Sequence, residues 1–503
     1  MAGGEPMASY LTTVDIGSFD LHSYRRDGIG LVDAVDPDLF DPVAEPRTGK
    51  QYALSRKTGD GPSYKRLART IAVPTSGGRL SFSVTRDTEP GWDFMFVEAH
   101  PVGSGDWTTL PDENGHTSRD TGFVCPFWLG LHPHLRHYQT AEADGSCAPT
   151  GTTGAWHAAS GSSDGYERWR VDLSAYAGED VRVSISYASD DVVQLAGVFV
   201  DDIVVSRGAG STSFEDDGNT FDGWEVPGPP PGSPPNPNDW IVGTGADNPP
   251  TFGEVAEGSF ARQPEILRFL SSDFGPYPFS ASGGIVDDDD RLGFALETQT
   301  RPVYSKYFFH SPESGDSVVV HELAHQWFGD SLAVARWRHI WLNEGFATYA
   351  EWLWSGREGL GTPQQIFDFF YSVIPAEDPF WALRIGNPGP DHLFDFPVYA
   401  RGAMTLHQLR QKVGSADFFA ILQRWATSRA GDNVRTGEFV RLAEKVSGEE
   451  LNPLFRKWLY TEKKPSLPGG RVGAGDFAAD GRTAWNEAPA AARALLHRVV
   501  RPR

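Results

Sequence analysis

The residues with the most chemistry in this 503-residue sequence fall between positions 297 and 399. His321-Glu322-Leu323-Ala324-His325 sets two imidazoles four positions apart. On a helix, positions i and i+4 stand one above the other, so both rings face the same way. Paired imidazoles suit Zn(II), which takes nitrogen ligands at about 2.0–2.1 Å in tetrahedral geometry. Glu322, one residue along, can reach a metal-held water as a general base without being a ligand itself. A catalytic zinc needs a third protein ligand and an open fourth position. Glu344, in Trp341-Leu342-Asn343-Glu344-Gly345-Phe346-Ala347, is the candidate for that third ligand. A five-residue pattern also arises by chance on helices with two surface histidines; the added glutamate makes that the weaker reading.

These side chains need helices to hold them, and the sequence around them has helical texture. Apolar residues recur with helical spacing over 263–271, 317–328, 343–354, 402–413 and 437–460. Asp316 stands where it can cap the metal helix, and Gly329 where it can end it. The texture upstream is different. Segments 92–99 and 181–187 alternate with period two, and 197–205 is a short apolar run, with Gly, Asp and Ser turns between them. Short strands of that kind predict a β-sandwich between about 60 and 206. Residues 1–43 read as a strand over 10–19 followed by polar loop. The proline-rich run 227–235 is expected to be an extended, solvated linker. After Pro465 the chain turns Gly-, Ala- and Arg-rich and is read as loosely attached.

Composition narrows the function. With 16 Trp and 31 Phe there is ample material for real cores, and the length allows two or three domains. A net charge of −23 argues against a nucleic-acid partner, because binding a polyphosphate depends on Lys and Arg releasing its counterions. No stretch approaches the ~20 apolar residues that cross a bilayer. Residues 1–10 have neither a basic start nor an apolar run, so no signal peptide is read there. Cys125 and Cys147 are the two cysteines. They form one bridge if the protein is exported, or stay as two thiols. An extracellular location is preferred, with the cytoplasm as alternative.

The segment from His321 to Asp330 (His-Glu-Leu-Ala-His-Gln-Trp-Phe-Gly-Asp), followed by 341–347, resembles the aminopeptidase N family of gluzincins, which includes the leukotriene hydrolase branch. Phe274-Gly275-Pro276-Tyr277-Pro278-Phe279 is similar to the stretch leading into the family's substrate-binding strand. Phe294-Ala295-Leu296-Glu297-Thr298 falls where the family has Gly-Ala-Met-Glu-Asn, so the resemblance makes Glu297 the residue that binds the substrate's free amine. Val398 to Ala403 resembles the family's Tyr-Glu-Lys-Gly-Ala stretch and makes Tyr399 the catalytic tyrosine. The likeness covers roughly 9–36 and 261–465. Phe294 and Thr298 depart from the amine-binding motif, and Asp330 stands where Asn is more usual, a change expected to be tolerated.

The resemblance implies a multidomain α+β chain with a thermolysin-like, mostly helical catalytic domain over 256–466. Residues 1–44 would be the end of an N-terminal β domain and the start of the catalytic domain, with the rest of that β domain missing ahead of Tyr10. Residues 45–255 would be an inserted β-sandwich with its proline-rich linker, and 467–503 a low-complexity tail. Segments 169–178 and 197–204 resemble the jelly-roll modules of secreted immune-inhibitor-type peptidases. Such a module could bind polypeptide, glycan or calcium through Asp201 and Asp202, or serve as a spacer. The function implied is an aminopeptidase with one zinc on His321, His325 and Glu344, catalysis by zinc-activated water with Glu322 and Tyr399, and peptides with a free N-terminus as substrates. An epoxide hydrolase of the leukotriene type, or a peptide- or glycan-binding protein with an inert peptidase half, are the alternatives. Oligomeric state, the preferred N-terminal residue and the activity of this chain alone are not legible.

Overall fold

A computed structural model describes residues 20–26, 29–57, 61–190, 193–216, 218 and 220–467. The strand expected over 10–19 and the tail beyond 467 lie outside these residues. The chain forms two compact units of mixed helix and sheet: residues 1–41 together with 252–503, and Pro42–Thr251.

The first unit begins with the antiparallel pair β1 (Asp20–Arg26) and β2 (Ile29–Val35). The chain returns through helices α1 (Phe252–Ala261) and α2 (Gln263–Phe274), and β3 (Ala281–Asp287) then adds in parallel to β2, Gly30 facing Ala281 and Val35 facing Val286. β4 (Val303–Ser305) lies parallel to β3. Residues 294–298 run back along β4, with Leu296 and Val303 exchanging backbone hydrogen bonds of 2.8 and 2.9 Å. Glu297 therefore sits beside the last strand of this sheet.

Helices supply the rest. α3 (Pro312–His325) carries the two histidines and α4 (Trp341–Glu358) carries Glu344. α5 (Pro363–Val373), α6 (Phe396–Val413), α7 (Ser415–Ser428), α8 (Thr436–Ser447) and α9 (Asn452–Tyr460) follow. Every residue of α4 from Trp341 to Ser355 is buried, as befits a helix with neighbours all round; α3 and α6 pack on it. Rings mortise the centre: Phe328 lies 4.6 Å from Phe346, Phe346 5.1 Å from Phe439, and Phe439 5.3 Å from Trp425. Truncating a core phenylalanine of this kind costs about 3–5 kcal/mol.

Two expectations for these helices change. Asp316 does not cap α3. Ser311 does, accepting from Ser314 N–H at 3.2 Å, with Pro312 in the first helical position, while Asp316 lies inside the helix and pairs with Arg262. Segment 437–460 is two helices rather than one, because Gly448 turns left-handed (φ 72°) and ends α8.

The second unit is two antiparallel sheets. One orders Glu167–Asp172, Arg79–Asp87, Gly197–Val205, Tyr52–Leu54 and Ile241–Gly243; the other orders Ser63–Ala72, Asp180–Ser189, Phe94–Pro101 and Thr108–Leu110. Leu67, Val97, Val183 and Ile185 from one sheet share a core with Phe82, Trp169, Val198 and Val200 from the other, which makes it a β-sandwich. Cys125 and Cys147 are bridged. The proline-rich run is not a free linker: Pro230 is buried, and Arg66 donates to the Gly228 carbonyl at 3.0 Å, so the run lies along the sandwich. Asp201 and Asp202 hold neighbouring chain: Asp201 accepts from Thr48 N–H at 3.0 Å and Asp202 from the Thr48 hydroxyl at 2.7 Å. No described helix is long and apolar enough to cross a membrane.

Candidate metal centre

α4 and α6 touch at their backbones near their N-terminal ends. A Cβ added to Gly345 would come within 2.9 Å of Gly402 Cα, and one added to Gly402 within 2.8 Å of Gly345 Cα. Only glycine allows that approach. It sets Glu344, in the first turn of α4, near Tyr399, in the first turn of α6. The Tyr399 ring stacks over His321 with centroids 6.1 Å apart and planes 26° from parallel.

His321 Nε2 lies 3.5 Å and His325 Nε2 3.4 Å from the same oxygen, Glu344 Oε2. Ligand bonds of about 2.0–2.1 Å at tetrahedral angles give donor–donor edges of roughly 3.4 Å. The donor set and its spacing therefore fit zinc. The outer ring nitrogens are already committed. His321 Nδ1 donates to Glu351 Oε1 at 2.6 Å, and His325 Nδ1 donates to the Phe328 carbonyl at 3.0 Å. Glu351 is in turn fixed by the Ser317 hydroxyl at 2.6 Å. With N–H on Nδ1, each ring turns its Nε2 lone pair towards Glu344, the arrangement metal-binding histidines adopt.

Charge around the three donors is concentrated. Burial alone would push Glu344's carboxyl up, but His325 and His321 outweigh it and hold it at about 2, so it is a carboxylate at any working pH. Burial depresses His321 and His325, yet the carboxylates of Glu344, Glu351 and Glu297 bring both above the usual imidazole range. Glu322 behaves differently. Burial pushes its carboxyl up to about 7, with the two histidines opposing and Glu297 and Glu344 adding to the rise. Its Oε2 is enclosed and makes no hydrogen bond. Glu297 brings a further carboxylate oxygen, within 4.8 Å of ligand atoms of Glu322 and His325. Asp330 is also pushed up to about 7, first by burial and then by Glu297.

The structure thus gathers all six residues singled out in the sequence: His321, His325 and Glu344 as one triad, Glu297 and Glu322 beside His325, and Tyr399 on His321. Sequence reasoning missed Glu351 and the Phe328 carbonyl. Glu351 had a signal, since it lies seven residues past Glu344 on one buried helix and so on the same face. A backbone carbonyl has none.

Residues 305–458 match the Peptidase family M1 domain. Aminopeptidase N of Streptomyces lividans is 28% identical over 205 residues, 37% of this chain and 24% of that protein. Aminopeptidase M1 of Arabidopsis thaliana is 29% identical over 235 residues, 42% of this chain and 26% of that protein. The chain therefore spans about a quarter of the length of these curated relatives. Among solved structures, an M1 zinc metallopeptidase from Deinococcus radiodurans aligns at 20% identity and TM-score 0.36, covering 83% of this chain and 98% of that one. Leukotriene A4 hydrolase from Saccharomyces cerevisiae aligns at 15% and 0.37, covering 81% and 69%.

Proposed function

From the premise that this chain belongs to peptidase family M1, whose domain it carries over residues 305–458, we propose that it is a zinc-dependent aminopeptidase that removes N-terminal residues from peptides. The observation that carries this reading is Glu297, whose carboxylate stands within 4.8 Å of ligand atoms of Glu322 and His325. An α-ammonium paired with it leaves room for a single residue before the His321, His325 and Glu344 triad. Cleavage one residue at a time follows.

A zinc ion held by His321, His325 and Glu344 would supply Lewis acidity towards water and towards the scissile carbonyl. Glu322 accepts the proton of the attacking water and returns it to the leaving amine. Its burial, which favours the protonated form more than solvent does, suits the return of that proton. Tyr399 donates its hydroxyl to the developing oxyanion, a contribution of roughly 3–4 kcal/mol for one donor. Glu351 and the Phe328 carbonyl keep the imidazoles aimed. We read Pro42–Thr251 as an inserted module of the jelly-roll kind and the chain as exported, a reading supported by the Cys125–Cys147 bridge.

The test is Glu322→Gln in the full chain. The variant is expected to keep its zinc and to lose on the order of 10²–10⁴-fold in hydrolysis of aminoacyl-arylamides. The unaltered chain is expected to leave N-acetylated peptides intact. An unchanged rate in the variant, or cleavage of acetylated peptides at internal bonds, would overturn the reading.

A further inference from the structure

The face of α4 that carries Glu344 extends beyond the helix itself. Trp337-Arg338-His339 form a tight turn that leads into α4, with Ile340 N–H donating to the Trp337 carbonyl at 3.0 Å and Glu344 N–H to the Ile340 carbonyl at 3.1 Å. Trp337, Glu344 and Glu351 follow one another at seven-residue steps, two turns each, so they share one face. Exposure rises along it: Glu351 is 2% exposed, Glu344 4% and Trp337 48%. Among the described residues Trp337 is the one tryptophan with an exposed side chain. Its ring meets that of Phe394, also exposed, with centroids 6.4 Å apart. Phe394 precedes Tyr399 by five residues. The two rings therefore stand where α4 and α6, the helices of Glu344 and Tyr399, both begin.

The charge around these rings opposes that of the molecule. On a chain of net charge −23, Arg336 and Arg338 flank Trp337, and both are exposed. Neither has a carboxylate within 4.0 Å among the described residues. Arg435 joins them, because Ala335 N–H donates to the Val434 carbonyl at 2.8 Å and His339 Nδ1 meets the Thr436 hydroxyl at 3.0 Å. Arg435 has Glu438 at 4.0 Å, and beyond Phe394 the Asp395 carboxylate is taken by His392 at 2.6 Å. Burial, and then the charges of Arg338, Arg435 and Arg336, hold the His339 imidazole below its usual range. The N-terminal ends of α4 and α6 add partial positive charge. Tryptophan and arginine are the residues that recognition surfaces enrich, and an uncommitted guanidinium fits a carboxylate.

Seven residues of such a helix rise about 10–12 Å, and an extended peptide advances about 3.3 Å per residue. A peptide running from the triad along this face reaches Trp337 with its third or fourth residue after the scissile bond. We propose that Arg336, Trp337, Arg338 and Phe394 form a downstream subsite for the C-terminal end of the substrate, the rings taking an apolar side chain and the arginines its free carboxylate. This rests on the aminopeptidase reading and names its substrates: peptides of four or five residues with both termini free.

The experiment compares Leu-Ala-Ala-Phe with its C-terminal amide on the zinc-loaded full chain. Leucine arylamide, which ends short of Trp337, serves as reference. The free acid is expected to have a KM about fivefold below that of the amide, a gap that closes at about 0.5 M salt. In the double variant Arg336→Gln/Arg338→Gln the two peptides should share one KM, near that of the amide. In Trp337→Ala both should rise about tenfold, while arylamide kinetics in each variant stay within about twofold. Calorimetry with the same peptides on Glu322→Gln, which holds substrate without turning it over, should return the same ratios in Kd. Equal KM for acid and amide in the unaltered chain, a gap that survives in the double variant, or equal losses on peptide and arylamide would each overturn the subsite and leave the peptidase reading standing. So would a double variant altered only in its state of association, which would give this face to a second copy of the chain. If nothing is hydrolysed but Glu322→Gln binds the free acid through Arg336 and Arg338, the functional reading fails and the subsite stands. A chain that binds neither peptide overturns both.

Discussion

At His321 the bond that sets metal affinity lies on the far side of the ring. Glu351 accepts from Nδ1 at 2.6 Å and thereby fixes the tautomer and raises the basicity of Nε2. Glu351→Gln keeps an acceptor in place but removes the charge. Zinc affinity is expected to fall about tenfold, read by competition with a chromophoric chelator, with the fold unchanged. An unaltered affinity would mean that the Ser317–Glu351 pair merely fills space. The same scale shows why one histidine partner went unread: the Phe328 carbonyl that meets His325 Nδ1 at 3.0 Å belongs to the backbone and leaves no trace in residue type.

Between elements, the contact that matters most is the glycine crossing of α4 and α6. Gly402→Ala places a methyl where Gly345 Cα stands 2.8 Å away, so the helices must part. The expected cost is about 1–3 kcal/mol of stability, seen as a lower melting temperature. A drop in kcat should accompany it as Tyr399 shifts away from His321. Much of this unit could be read beforehand. Helical spacing announced the cores of α2, α3, α4 and α6, because burial of one face writes a period into the residues. Ends were harder: the cap is Ser311, with Pro312 at the first helical position, and Asp316 lies inside the helix. The proline-rich run was legible as lacking helix and strand. That it lies along the sandwich depends on Arg66 meeting the Gly228 carbonyl, which composition does not record.

On the scale of the whole molecule, the sandwich unit carries its own acid sensitivity. His132 is fully buried, with Nε2 donating to the Ser189 carbonyl at 2.9 Å, and burial pushes it down to about 4. A base with a depressed folded pKa is stable while neutral; the unfolded chain takes up the proton first as pH falls through about 6.5. Stability should therefore drop by about 3 kcal/mol between pH 6.5 and 4 and then level off. Urea midpoints at pH 7 and 4.5 would show it, and His132→Gln should flatten the difference. Reducing the Cys125–Cys147 bridge, which spans 22 residues, should remove roughly 3 kcal/mol from the same unit. A midpoint indifferent to reductant would contradict that.

The entry and exit strands of the sandwich are neighbours in one sheet, Leu54 facing Ile241 and Tyr52 facing Gly243. Its entry and exit strands are thus held about 5 Å apart. Meanwhile β2 waits for β3, whose residues are made some 250 positions later. A chain emerging from the ribosome can complete the guest before β3, the host strand that follows it, has been made. Closing a flexible loop the length of Pro42–Thr251 would cost the host about 5 kcal/mol of entropy; closing it around a finished guest spares most of that. An order of birth is expected: the guest matures first, the host sheet zips next, and His321, His325 and Glu344 meet after both.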